Sequence, residues 1–198
     1  MTWVKLCGMT RRDDVAAAAR LGADAVGFVI YEGSPRRVSL DDVSGLGAGV
    51  TLERYLVTVD EAPVRLVAAA RRAGVTGVQP HGRHARAAAE AALAAGLTVL
   101  FPVGVGDGPV DLGEVPAGCM PILDTRGAHH GGTGRRFDWS LARDLGRPWV
   151  LAGGLTPGTV GDAMRLLEPW GVDVASGVEA SPGVKDQDLM RRFIGAVR

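Results

Sequence analysis

Short apolar runs alternate along this chain with longer segments whose apolar positions recur at three- and four-residue intervals. A run such as Ala25-Val-Gly-Phe-Val-Ile30, apolar throughout, is the pattern of a strand covered on both faces in a parallel sheet. The stretch Arg12–Leu21, with Val15, Ala18 and Ala19 on one side, is the pattern of a helix packed by one face. On this reading strands are predicted over residues 4–6, 25–30, 55–59, 77–79, 98–102 and 120–123, with two more opening at Trp149 and Gly171. Helices are predicted over Arg12–Leu21, Leu40–Leu46, Pro63–Ala73, 84–95, 141–145, the segment bearing Val160, Ala163, Leu166 and Leu167, and 186–197. Thr10, Ser39 and Thr156 are placed to cap helices, as is Asp138 or Ser140 before the segment at 141–145. Residues 104–116 hold several glycines and prolines, so a loop or one loose turn is predicted where a fifth helix belongs.

Strict alternation of strand and helix specifies parallel pairing with right-handed crossovers. Eight such units in 198 residues lie at the lower end of (β/α)8 barrel sizes. The reading is an α/β chain folded as one (β/α)8 TIM barrel domain over residues 1–198, with a short or missing fifth helix and no second domain. An open doubly wound sheet is the rival. The barrel is favoured by its last two units, Trp149-Val-Leu-Ala-Gly-Gly-Leu-Thr-Pro157 and Gly171-Val-Asp-Val-Ala-Ser-Gly-Val178, each an apolar run that breaks into glycine. Turns of this kind expose backbone amides to an anion, and two in succession match the phosphate site after strands 7 and 8 of a barrel. Gly153, Gly154, Ser176 and Gly177 are therefore candidate phosphate-binding residues.

Composition narrows the function classes. Twenty-two basic residues balance 22 acidic ones and the arginines are scattered, so neither nucleic acid nor a membrane surface is an expected partner. No stretch approaches the ~18 apolar residues of a membrane span, and Trp3-Val-Lys-Leu6 enters the first strand at once, which leaves no room for a signal peptide. Two cysteines, Cys7 and Cys119, make no disulfide framework, and no His/Cys group has zinc spacing. His129 and His130 are adjacent in a loop, where two side chains seldom converge on one metal. No metal is expected, and a reduced, cytoplasmic location is.

In a barrel the working residues stand at the C-terminal ends of the strands. Those ends read Cys7, Tyr31, Asp60, His81, Pro102, Asp124, Gly153 and Ser176. Cys7 and Asp124 can transfer protons from opposite sides of the mouth, and Arg36, after the second strand, can take a carboxylate bidentately. Each has a bland reading: Cys7 as a small buried hydrophobe, Asp124 as a turn former, Arg36 with Arg37 as a solvated pair, Gln79 and His81 as polar rim. Their common placement on one face favours a site. Lys5, two residues before Cys7, shares its face one layer lower. Its ammonium is expected to lower the thiol's pKa, unless Asp173 on the neighbouring eighth strand takes up the charge.

The motifs Lys5-Leu-Cys-Gly-Met-Thr10, Gly22-Ala-Asp-Ala-Val-Gly-Phe28, Ser34-Pro-Arg36, Val78-Gln79 with His81-Gly82, Leu123-Asp-Thr125, Gly131-Gly-Thr-Gly134, Gly153-Gly-Leu155 and Ser176-Gly-Val-Glu179 with Lys185-Asp186 run from one end of the chain to the other. In order and spacing they resemble the phosphoribosylanthranilate isomerase family of tryptophan biosynthesis. The resemblance implies an Amadori rearrangement of N-(5-phosphoribosyl)anthranilate without cofactor or metal. It implies Cys7 as general base, Asp124 as general acid, Arg36 on the anthranilate carboxylate, and phosphate held by the turns around Gly132, Gly154 and Gly177 with Ser176; Gln79 and His81 join the substrate-binding set. A monomer is expected, with a dimer left open. Departures from the family's usual pattern fall in the third strand, at Pro80 (expected to end the fourth strand early or bend it), in Leu100-Phe-Pro-Val103 and at Ala175. The alternatives are a broader sugar-phosphate isomerase that also serves histidine biosynthesis, and a degenerate barrel that binds phosphate without catalysis.

Overall fold

The structure, a computed structural model, describes all residues except 107, 126–138 and 143, and the side chains of Thr125 and Ser140 are likewise outside the description. Eight parallel strands, β1 (Trp3–Cys7), β2 (Ala25–Val29), β3 (Glu53–Val59), β4 (Gly77–His81), β5 (Thr98–Val105), β6 (Met120–Thr125), β7 (Val150–Leu151) and β8 (Gly171–Val174), close into a barrel in chain order. Closure is made by β1 and β8, which pair from Trp3↔Gly171 to Leu6↔Val174. The helices are α1 (Arg12–Leu21), α2 (Leu40–Leu46), α3 (Pro63–Ala73), α4 (Ala85–Ala94), α5 (Val160–Leu167) and α6 (Gln187–Val197). A short antiparallel hairpin, β9 (Glu179–Ser181) with β10 (Val184–Lys185), stands between β8 and α6.

Alternation along each strand divides the core. Leu6, Phe28, Leu56, Val78, Leu123, Leu151 and Val172 face outward onto the helices, whereas Trp3, Ala25, Tyr55, Leu100, Ile122 and Val150 fill the barrel's interior. The absence of a helix between β5 and β6 among the described residues agrees with the glycines and prolines there.

Several local expectations are corrected. The N-cap of α1 is Arg11, without a side-chain cap, because the Thr10 hydroxyl donates instead to the Gly183 carbonyl of the hairpin. Helix α5 begins a turn later than Thr156 indicated. The Thr156 N–H donates to Thr159 Oγ1 (3.0 Å), closing a separate turn over Pro157 before the helix proper. In place of a helix at 141–145 there is one 3-10 turn, Trp139–Ala142; Asp144 takes φ 53° and Gly146 φ 68°, conformations that no α-helix contains. The expected caps for that segment, Asp138 and the Ser140 side chain, lie outside the described residues.

Pro80 does not end β4, which pairs with β3 as far as Val59↔His81. The His81 carbonyl accepts from the Asp60 N–H on the β3 side (2.9 Å). The preceding residue therefore turns its backbone toward β5. There the register stops at Val78↔Val99, so the N–H that proline lacks is not missed.

Candidate active site

Cys7 is the last residue of β1 and points into the barrel with 8% of its surface exposed. What gives its sulfur room is Gly27, its partner on β2: a Cβ there would lie 2.8 Å from Sγ and 3.2 Å from Lys5 Cε. One layer below, Lys5 is wholly buried, with Nζ 3.0 Å from Asp173 Oδ1 and 3.0 Å from Gln79 Oε1. The ammonium can only donate, so it fixes the Gln79 amide with its oxygen toward Lys5 and its NH2 toward His81 Nε2, 3.1 Å away. His81 Nε2 is then an acceptor, which assigns the proton to Nδ1.

This arrangement answers the expectation that the thiol is lowered, and corrects it. Burial pushes the Cys7 thiol above its ordinary value; Lys5 and Lys185 pull it down, but Asp173 pushes it up again. Asp173 is the charge that takes up Lys5's ammonium; burial is the largest single influence on that ammonium and lowers its pKa, but Asp173 and Cys7 together outweigh it and leave it raised. Lys5 therefore limits the rise without reversing it.

Asp124 stands at the C-terminal end of β6, partly exposed and in register with Gly104 of β5. It is three strands from Cys7 by way of β7 and β8, so both stand at the same end of the barrel. Between them lie the two glycine turns. Gly153 and Gly154 take φ 85° and 64° in succession after β7, conformations that favour glycine. Ser176–Val178 forms a 3-10 turn after β8. A Cβ on Gly177 would fall 1.8 Å from the Leu155 carbonyl oxygen, so the turns are packed backbone against backbone.

Arg36 is carried over the mouth by a loop that leaves β2 and returns to it, with Val29 bridged to Arg37. Its guanidinium is not a freely solvated charge but is mostly buried and paired: Nε and Nη2 donate to Glu179 Oε1 and Oε2 at 2.9 and 2.8 Å.

The model of the N-(5′-phosphoribosyl)anthranilate isomerase family matches residues 4–196. The chain belongs to that family. The N-(5′-phosphoribosyl)anthranilate isomerase of Rubrobacter xylanophilus is 39% identical, the match covering the full length of both chains. A crystal structure of monomers generated from the dimeric phosphoribosylanthranilate isomerase of Thermotoga maritima superposes with a TM-score of 0.85 at 34% identity, covering 100% of this chain and 98% of that one. A phosphoribosylanthranilate isomerase crystallised with reduced 1-(o-carboxyphenylamino)-1-deoxyribulose 5-phosphate gives 0.83 at 34% identity, with the same coverage.

Within this phosphoribosylanthranilate isomerase barrel, Cys7, Gln79, His81, Asp124, Gly153, Gly154, Ser176, Gly177 and Arg36 all lie on the inner wall or at the C-terminal mouth. Gly132 lies outside the described residues. Sequence reading gave no place in the site to Gly27, Glu179 or Lys185. The last two stood in a motif whose chemistry becomes visible only once the hairpin folds back beneath Arg36. Among the described residues, no group of three or more His, Cys, Asp or Glu is placed to hold a metal ion, and no helix is long and apolar enough to cross a membrane.

Gly27 offers a direct check of the packing around the sulfur. Gly27→Ala should displace Cys7 or Lys5, lowering stability by about 1–3 kcal/mol as an overpacked site does. It should also reduce kcat/KM at unchanged thiol count. Urea melts with parallel kinetics measure both, and an alanine variant equal to wild type in each would show that the pocket is looser than described.

Proposed function

We propose that this chain isomerises N-(5′-phosphoribosyl)anthranilate to 1-(2-carboxyphenylamino)-1-deoxyribulose 5-phosphate, a step of tryptophan biosynthesis. The observation that carries this reading is the single mouth. In a chain of this family it is edged by a buried thiol, an aspartate three strands from it and two interlocked glycine turns between them. Asp124 protonates the ribose ring oxygen, and the ring opens to an iminium. Cys7, as thiolate, removes the C2′ proton to give an enolamine, which tautomerises to the ketone. The amides of the turns at Gly153-Gly154 and Ser176-Gly177 hold the phosphate, and Arg36 receives the carboxylate of the anthranilate ring. Gln79 and His81 line the wall between them. Two free cysteines, Cys7 and Cys119, support a reduced, cytoplasmic setting, and we propose a monomer.

Turnover of phosphoribosylanthranilate by the purified protein, with a chelator present, tests the reading. Substrate should be consumed, and inorganic phosphate should inhibit competitively by occupying the glycine turns. A pure, folded protein that leaves the substrate untouched would overturn the assignment of activity. Sedimentation at micromolar concentration tests the monomer.

A further inference from the structure

Glu179 is a buried carboxylate, 4% exposed in its side chain, that stands between two cations. On one side is Arg36, 13% exposed and paired bidentately. On the other is Lys185, wholly buried, with Nζ 2.9 Å from Glu179 Oε1. Lys185 Nζ also donates to the Cys7 carbonyl at 2.6 Å and to the Ala175 carbonyl at 3.0 Å. Three contacts exhaust the three donors of an ammonium. Lys185 is thus saturated by the protein.

Arg36 is not. A guanidinium offers five N–H groups, and Glu179 takes the Nε–H and one of those on Nη2. Among the described residues, the end formed by Nη1 and the outer N–H of Nη2 is left to donate to a second carboxylate. Within the triad itself, two cations face one carboxylate. Burial pushes the Glu179 carboxyl up, yet the bonds from Arg36 and Lys185 hold it below its ordinary value. The hairpin that carries Glu179 is itself fixed to the barrel: the Lys185 N–H donates to Asp14 Oδ2 of α1 at 3.1 Å, and the Gly183 carbonyl accepts from Thr10. On the opposite side Arg36 lies against Gly8, where a Cβ would fall 2.5 Å from Arg36 Cδ.

We propose that Glu179, anchored by Lys185, is a positioning residue that holds the Arg36 guanidinium edge-on so that its outer fork meets the substrate's aromatic carboxylate. The inference rests on the reading of Arg36 as the carboxylate contact. Because Lys185 also grips the Cys7 carbonyl, the fork and the thiol share one buried cation as their common reference point.

The test is a kinetic cycle on the purified enzyme with phosphoribosylanthranilate, using E179Q, E179D, R36A and E179Q/R36A, with inorganic phosphate as competitive inhibitor. Glutamine presents an NH2 where Nη2 needs an acceptor, and aspartate withdraws the carboxylate by about one bond length. Either change should raise KM by roughly tenfold, the worth of one charge-assisted contact, while kcat changes less than threefold and the phosphate inhibition constant stays put. In the R36A background E179Q should raise KM no further. E179D is read alone if E179Q does not fold. A wild-type KM in E179Q or E179D, an undiminished KM effect without Arg36, or an equal loss of phosphate affinity would overturn the positioning role. A wild-type KM in R36A would instead overturn the carboxylate contact on which it rests.

Discussion

Cys7→Ser is expected to cut kcat/KM by about 10²–10⁴, the usual contribution of a positioned general base. A serine hydroxyl in the same buried pocket over Gly27 keeps the shape and loses the basicity. Phosphate inhibition should be unaltered, because the glycine turns lie on other strands. The wild-type pH profile carries a second mark of the same residue. The active form is the thiolate, and burial outweighs the pull of Lys5 and Lys185 on it. The Cys7 step in the profile should therefore lie above the value of about 8.5 for a free thiol, coupled to the titration of Asp124, which must keep its proton while Cys7 is ionised. Asp124→Asn should be comparably slow and should still bind the product analogue, having lost proton donation to the ring oxygen. A Cys7→Ser enzyme with wild-type activity and an unchanged profile would remove Cys7 from the mechanism.

The largest stability effect is expected at Asp173. Replacing it by Asn leaves the Lys5 ammonium, 0% exposed, facing only neutral partners. Breaking a buried pair in this way costs about 3–5 kcal/mol, which for a chain of this size is a fall in Tm of roughly 6–20 °C. The pH dependence follows from the sign of the shift. The folded-state pKa of Lys5 is raised, so the pair's contribution is complete below the unfolded value near ~10.4. It is lost only as pH rises through the folded value. The wild-type contribution of the pair should accordingly be fully present from pH 6 to 9 by calorimetry. Catalysis should respond in the opposite sense, because Asp173 is one of the charges that hold the thiol up. Its removal should move the Cys7 titration in the pH profile to lower pH. A variant that melts within 2 °C of wild type would show that the interior tolerates an unpaired ammonium.

The barrel was legible because it depends on coarse patterns. Fully apolar strands such as the one ending at Val29, helices closed by Gly22 and Gly74, and the glycine pair at 153 and 154 are local signals that survive without tertiary context. Where the reading failed, two local rules competed. Thr10 obeyed the preference for a cap residue, yet its hydroxyl found the Gly183 carbonyl, 173 positions away in sequence. Pro80 obeyed the rule that proline interrupts a ladder, but only on the side of β4 where no ladder continues. The thiol's pKa was misjudged for a similar reason. Lys5 was correctly placed beneath Cys7 and Asp173 beside Lys5, but the balance between burial and two opposing charges depends on distances that no spacing rule contains. Glu179 and Lys185 were invisible as site residues because their role is played through a hairpin that the strand–helix alternation does not predict.

The contacts at the barrel's closure join positions far apart in the chain: Lys5 with Asp173, 168 residues on, and the Cys7 carbonyl with Lys185, 178 residues on. Folding must therefore meet the entropy of its longest loops before these contacts can form, the circumstance that makes high-contact-order chains slow. During synthesis the thiol leaves the ribosome long before the ammonium that grips its carbonyl. A nascent chain can hold Cys7 and Asp124 and still be chemically silent until the last hairpin docks. Appearance of activity would then time the closing of the ring rather than the formation of its strands.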